Sequence, residues 1–422
     1  MKRVFVTGMG IVSPLGNSVD EVASNLWNGN SGIGDLTRLS EFGWFSGSND
    51  FPVKLAAELK EKPDMSGIPA KKQRNIARFA RYILCAANQI NPTRLFMPDN
   101  DDSNRFGIFL GCLHGGIEEQ DQMTVSLVNK EFQINPLTAV HTLPSSAAGK
   151  LAQVFSINDS PIFTGESTTY LNGCASAAVA IGNAFRKIRC GEIDVALTGG
   201  GEAPISPTTL TYLNNLGALT RQTYPTSSKP FDEYRDGYTL GEGAAMFTLE
   251  SEEHVKMRGG ECDIVAEIVG YATTVEGFSD TSPDPKGKGM YNAMKLALAD
   301  ADIGAGSIGY VNAHATSTRL GDAAESFAIR RLFGTGPSVS STKGHTGHSE
   351  GAAGAIELLL SIISLRDSLL PATLNLTRVS DCANLDYVTV EPRHRMLNFV
   401  MSNSSGFGGY NSALIIKKNY DV

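Results

Sequence analysis

The decisive stretch is 161–204, PIFTGESTTYLNGCASAAVAIGNAFRKIRCGEIDVALTGGGEAP. It predicts a strand, a sharp turn, a helix and a second strand. Residues 168–171 are β-prone, and Asn172-Gly173 is turn chemistry. From Ala175 small, helix-tolerant residues take over, and Arg186, Lys187 and Arg189 close the segment where cations suit the negative end of a helix. The helix is apolar nearly all round, which implies burial in a large core. Cys174 falls at its first turn, where unpaired N–H groups and the positive dipole end favour thiolate and a depressed pKa, the state a nucleophile needs. A buried, inert cysteine fits the same local pattern, so the rest of the chain has to decide between them.

Composition narrows the class. The chain has 422 residues, enough for one large core or two of ordinary size, with 41% hydrophobic and 19% charged residues, as in soluble globular proteins. A net charge of −8 argues against nucleic acid as a partner. The six cysteines (85, 112, 174, 190, 262, 382) show no CxxC pairing, so neither a disulfide framework nor a zinc site is expected. The opening MKRVFVTGMGIVSPLG is too short and broken for a secretion signal, and no apolar run reaches membrane-spanning length. These features read as a cytoplasmic enzyme without membrane contact.

In chain order, residues 3–7 read as a buried strand followed by a glycine-rich turn, GMGIVSPLG. A dinucleotide fingerprint fails there because Ser13 holds the third glycine position. Residues 17–28 fit a capped helix. PAKKQRNIARFARYILCAANQI (69–90) reads as one amphipathic helix with Lys71, Lys72, Arg74, Arg78 and Arg81 in its early part, either a solvated face or a dock for an acidic partner. FGIFLGCLHGG (106–116) is a strand entering a glycine turn, 194–198 is a strand, and KPFDEYRDGYTLGEG (229–243) is a structured loop before a strand at 244–249. From about residue 261 the order restarts. A strand lies within 262–272, a helix covers 290–301, and a strand covers 309–312; HATSTRLGDAAESFAIRRLF then supplies a turn and a helix. Strand SVSST precedes KGHTGHSEGAAGAIELLLSIISL, and the chain ends with a strand near 388–391, the loop SSGFGGYN and a strand at 413–417. This alternation implies an α/β fold of two pseudo-symmetric lobes, 1–255 and 256–422, with a site between them.

Four strand-end turns carry chemistry: Cys174 in LNGCASA, His314 in VNAHATST, Lys343 with His348 in KGHTGHSEGAAGA, and GFGGYN at 406–411. A thiolate, two histidines and a lysine suit acyl transfer followed by carbon–carbon bond formation. The thiolate accepts an acyl group, the histidines donate to the enolate left by decarboxylation, and the Phe407 loop presents backbone N–H to a thioester oxyanion. His345 and His348, at i and i+3, could ligate a metal, but no third ligand is spaced to help.

With VFVTGMGIVSPLGN, DVALTGGGEA, PFDEYRDGYTLGEGA, VNAHATSTRLGDAAE, SSTKGHTGHSEGAAGAIE and GFGGYN in this order, the chain resembles the elongating β-ketoacyl-acyl carrier protein synthases of the thiolase-fold superfamily over essentially its whole length. The resemblance implies a layered α-β-α-β-α fold, Cys174 as nucleophile, and His314 and His348 for decarboxylation and condensation. Lys343 becomes the supporting lysine and Glu357 the buried acid. Thr316 and Thr318 would hold the phosphopantetheine arm, Phe407 would be the gate, and the N–H groups of Cys174 and Phe407 the oxyanion hole. Lys71 and Arg74 would dock the acyl carrier protein. No tightly bound cofactor is implied, since the pantetheine arm arrives on that carrier. The expected assembly is a dimer, either with a second copy or with a cysteine-less chain-length-factor homologue, across the helix and strand before Cys174.

Four positions depart from the family pattern: His114 in place of an aliphatic acyl-pocket residue, Ser405 beside the gate, Tyr410, and Ala315. A polar residue facing an acyl tail is costly without a partner, so His114 and Ser405 point to a specialised polyketide or polyene substrate. The alternative is housekeeping fatty-acid elongation. A non-catalytic chain-length factor fits less well because Cys174 is retained. A degradative thiolase would need a second cysteine in the last glycine loop.

Overall fold

The first strand runs straight through the glycines that the sequence reads as a turn. In the computed structural model, which describes residues 1–42, 51–95, 103–157, 159–380 and 384–419, it spans Val4–Val12. Residues 45–50, the start of a polar, turn-rich stretch that runs to residue 70, and Cys382 lie outside the described residues. A Cβ on Gly10 would come 2.0 Å from the carbonyl oxygen of Ala86, which lies on the Arg78–Ile90 helix. The glycine marks a close helix–strand approach, not a change of direction. Strand 195–202 likewise extends through its three glycines.

Eleven strands form one sheet: β1 (Val4–Val12), β2 (Phe106–Gly111), β3 (Ser167–Tyr170), β4 (Val195–Glu202), β5 (Gly243–Ser251), β6 (Ala266–Val275), β7 (Ile308–Asn312), β8 (Ser338–Ser340), β9 (Asp386–Tyr387), β10 (Phe399–Gly406) and β11 (Tyr410–Lys417). Their order is β9-β8-β7-β10-β11-β6-β1-β5-β4-β2-β3. The first half reads β3-β2-β4-β5-β1 and the second β8-β7-β10-β11-β6, with parallel and antiparallel pairings in the same places. The halves join where Val4, Phe5 and Val6 pair with Ile268, Glu267 and Ala266. The strand expected near 388–391 is instead β9, Asp386–Tyr387, which pairs with Ser338 and Val339, and the Ser338 hydroxyl donates to Asp386 (2.7 Å) at that register.

Each half sends one helix into the middle, Ser176–Arg189 from the first and Ala353–Asp367 from the second. These two helices touch each other and strands of both halves. Their shared core holds Phe185, Ile188, Ile356, Leu359 and Ile363, together with Val4, Phe247 and Leu414 from the sheet. Separate cores lie under the outer helices, one around Phe79, Ile83 and Leu110, the other around Met294, Ala328 and Val339. Three cores divided by two halves of sheet make the layered α-β-α-β-α architecture. Among the described residues no helix is long and apolar enough to cross a membrane.

The basic segment is not a single helix. Ala70–Gln73 is one 3-10 turn, Asn75 is left-handed (φ 53°), and the α-helix starts only at Arg78. The Glu119 carboxylate accepts the Arg78 backbone N–H (2.8 Å), capping the helix at that point. The Arg78 guanidinium turns inward to Glu118 (3.3 Å) and Glu242 (2.8 Å), whereas Lys71 and Arg74 are exposed.

Gly10→Ala should lower stability by about 1–3 kcal/mol through overpacking. Gly304→Ala, where an added Cβ meets nothing within 4 Å, should stay within about 0.5 kcal/mol. Urea midpoints of the two variants check this contrast.

Candidate active site

The turns at the ends of β3, β7, β8 and β10 converge. Cys174 lies two residues before the helix that begins at Ser176, and the Ser176 hydroxyl closes the turn by donating to the Gly173 carbonyl (2.6 Å). The last glycine loop rests on this turn. A Cβ on Gly406 would sit 2.7 Å from the Cys174 nitrogen, and one on Gly173 3.3 Å from the Phe407 nitrogen. The Phe407 loop and the Cys174 turn are thereby packed backbone against backbone.

His314 is held through its backbone. Glu325 accepts the N–H groups of His314 (2.9 Å) and Ala315 (2.7 Å), and Asn403 donates to the same carboxylate (3.1 Å). Lys343, 1% exposed, donates to the His314 carbonyl (2.5 Å) and faces its Nδ1 at 3.4 Å. An ammonium facing Nδ1 leaves the ring proton on Nε2. Lys343 is also ion-paired with Glu357, as the sequence led one to expect. The ring of His348 lies edge-on to that of His314, centroids 5.3 Å apart. Burial and the Lys343 cation hold both histidines well below their ordinary pKa, so both are neutral.

A cavity of about 350 Å³ opens onto Cys174, His314, His348 and Phe407, with Thr316 and Thr318 also in its wall. The two threonine hydroxyls are 3.1 Å apart. Ser405 lines it too and donates to Asn411 (2.8 Å). His114 does not line it; its ring faces the Tyr212 hydroxyl at 3.3 Å, and its backbone N–H is held by Glu202 (3.1 Å). Lys71 and Arg74 are likewise outside the cavity wall. Both ring nitrogens of His345 are spent on the carbonyls of Asn30 (2.9 Å) and Ala372 (3.0 Å), so the His345–His348 pair is not a metal site.

The thiol differs from the sequence expectation. Burial first, then the Glu350 carboxylate, push Cys174 well above its ordinary pKa, and Lys343 only partly opposes them. Sequence reasoning gave no role to Glu350, Tyr238, Glu325 or Glu202, all buried. The Cys174 thiol donates to Glu350 (3.2 Å), and the Tyr238 hydroxyl donates to its other oxygen (2.7 Å). Only the position of Glu350 two residues after His348 hinted at this.

Two family models match the chain, β-ketoacyl synthase N-terminal domain over residues 1–254 and β-ketoacyl synthase C-terminal domain over 265–377. The chain belongs to the β-ketoacyl synthase family. It is an acyltransferase. It is 36% identical over 423 residues to 3-oxoacyl-[acyl-carrier-protein] synthase 2 of Staphylococcus aureus strain N315, covering 99% of this chain and 98% of that one. The crystal structure of a β-ketoacyl synthase from Burkholderia phymatum superposes with a TM-score of 0.89 at 33% identity, over 99% of this chain and all of that one. A ketosynthase in complex with its chain length factor from Xenorhabdus doucetiae gives a TM-score of 0.82 at 26% identity, over 99% and 98%.

Glu202 yields a pH test. Burial raises its pKa from 4.5 to about 8, outweighing the N–H groups of Leu113 and His114. The unfolded chain releases this proton near 4.5 and the folded chain keeps it to about 8. Its contribution is therefore complete below 4.5 and is lost as pH rises through 8, by about 1.4 kcal/mol per pH unit. Glu202→Gln should flatten that slope in denaturation curves recorded across this window.

Proposed function

We propose that this family member loads an acyl group onto Cys174 and condenses it with a malonyl thioester by decarboxylation. The convergence of Cys174, His314, His348 and the Phe407 loop on one cavity carries this reading. In loading, the Cys174 sulfur attacks the acyl thioester carbonyl, the N–H groups of Cys174 and Phe407 take the oxyanion, and the carrier's thiol departs. In condensation the malonyl group loses CO₂. The neutral His314, with its Nε2–H, and the neutral His348 stabilise the enolate oxygen without protonating its carbon. The enolate carbon attacks the acyl thioester, and the bond from the acyl carbon to the Cys174 sulfur breaks. The released thiolate takes up a proton while the β-ketoacyl product leaves on the carrier. Lys343 sets the His314 tautomer, and Glu357 balances the lysine charge.

The donor in this reading is an acyl carrier protein, in keeping with the name of the Staphylococcus aureus relative. Its phosphopantetheine arm would pass Thr316 and Thr318, and exposed Lys71 and Arg74 would meet its acidic surface. No tightly bound cofactor is needed. The Xenorhabdus doucetiae neighbour supports pairing with a chain-length-factor homologue, and β3, the last strand of the sheet, offers an edge for that homologue or for a second copy.

For the pathway we propose a specialised polyketide or polyene substrate. Tyr238, Ser405 and Asn411 put polar groups into the cavity wall around the nucleophile, a costly lining for a plain saturated chain. The 36% identity to the Staphylococcus aureus synthase favours fatty-acid elongation as the second reading.

Incubation with acetyl-, saturated medium- and long-chain and polyenoyl-carrier proteins, read by intact-protein mass, tests both readings. Wild type should gain the acyl mass and Cys174→Ala should not. Preference for polyenoyl or polar chains supports the specialised pathway, and preference for saturated long chains supports fatty-acid duty.

A further inference from the structure

Five buried carboxyl groups surround the site; Glu357 is ion-paired with Lys343, and three others are spent on the backbone. Glu202 accepts the N–H groups of Leu113 and His114, Glu325 those of His314 and Ala315, and Asp322 those of Phe231 and Ser317. Those three clamp turns. Glu350 differs, because its two oxygens accept only from side chains, Tyr238 and Cys174. Its backbone is left-handed (φ 47°), a conformation that costs a non-glycine residue of order 1 kcal/mol or more and collects at functional sites. The chain carries that strain at the residue whose carboxyl meets the nucleophile. Tyr238, which holds the carboxyl, also lies edge-on to His348, centroids 4.9 Å apart.

We propose, on the ketosynthase reading above, that Glu350 is the general base of acyl loading. Its carboxylate takes the Cys174 thiol proton as the sulfur attacks the donor thioester. The S–H bond breaks towards Glu350 Oε2, and the sulfur forms its bond to the acyl carbon. The tetrahedral adduct then collapses and breaks the bond from that carbon to the carrier's pantetheine sulfur. The departing thiolate takes the proton from Glu350 and leaves as the thiol, so the carboxylate is restored and no net proton is consumed in this half-reaction. A base is needed because the thiol is buried and lies above its ordinary pKa. His314 is unsuited, since its Nδ1 faces Lys343 and its Nε2 carries a proton.

Among the described residues, Glu350 is faced by the Tyr238 hydroxyl, the Cys174 thiol and the neutral His348 imidazole, with the Lys343 cation more distant. Burial, the largest influence, raises its pKa, and Tyr238, Cys174 and Lys343 lower it without offsetting that. Glu202 is coupled to it from the neighbouring turn.

The experiment is the rate of Cys174 acylation against pH, by quenched intact mass, for wild type, Glu350→Gln and Tyr238→Phe. The glutamine still accepts a hydrogen bond from the thiol but takes no proton. Loading should slow by roughly 10²-fold or more at neutral pH, and the fall of rate on the acid side should vanish from its profile. Tyr238→Phe keeps the ring beside His348 and removes one donor from the carboxylate, so that acid limb should move to higher pH. This second variant decides the matter if Glu350→Gln does not fold. Glu350→Gln loading as fast as wild type, or an acid limb unmoved in Tyr238→Phe, overturns the proposal. Failure of wild type to load any donor overturns the ketosynthase reading itself, an outcome visible before the variants are compared.

Discussion

Where the Ser176–Arg189 and Ala353–Asp367 helices cross, neither has a side chain to spare. A Cβ on Gly354 would come 2.8 Å from the Ala178 Cβ and 2.8 Å from the Ser404 hydroxyl. The second helix is buried from Ala353 to Leu365, and each fully buried leucine or isoleucine contributes about 1.5–3 kcal/mol. This crossing sets the separation of the two halves. Because both helices start at the same end of the crossing, Cys174 before one meets His348 and Glu350 before the other. Residues 176 positions apart in sequence become hydrogen-bonded. The site is a consequence of the helix packing.

The second constraint is electrostatic. Lys343 and Glu357 form an ion pair with almost no exposure, where either charge alone would be costly. Burial, and after it the lysine, keep both histidines neutral, which suits donation to an enolate oxygen better than base chemistry. Buried acids then fix the turns by collecting backbone N–H groups, so the catalytic loops are held by main-chain bonds that tolerate little displacement.

Much of this was legible in sequence. Cys174, His314, Lys343 and His348 each have an ordinary structural explanation alone, and stand out because they occur together at successive strand ends. The alternation of elements pointed to an α/β fold of two similar halves, while the strand order itself was not legible. Three features were hidden, each for a physical reason. Gly8 and Gly10 look like turn residues, and only the helix pressed against them reveals a strand. Arg78 looks like part of a basic face, but the acids that draw it inward, Glu118 and Glu242, are 40 and 164 residues away. Glu350 looks like a solvated acid in a glycine-rich turn, and its burial depends on Tyr238 and Cys174 arriving from two other loops. The upward shift of the thiol has the same origin, since the helix terminus was visible in sequence and the neighbouring acid was not.

The glycine contacts at the helix crossing and at the Cys174 turn also bear on how such a protein can change over generations. A substitution that adds even one carbon at Gly354, Gly406 or Gly10 collides with backbone or a packed neighbour, so these layers are closed to gradual variation in volume. Tyr212 and Leu216, beside the site, are 41% and 46% exposed and meet no such limit. Diversification of the acyl group handled is thereby channelled into these surface segments, while the paired helices are inherited as a unit.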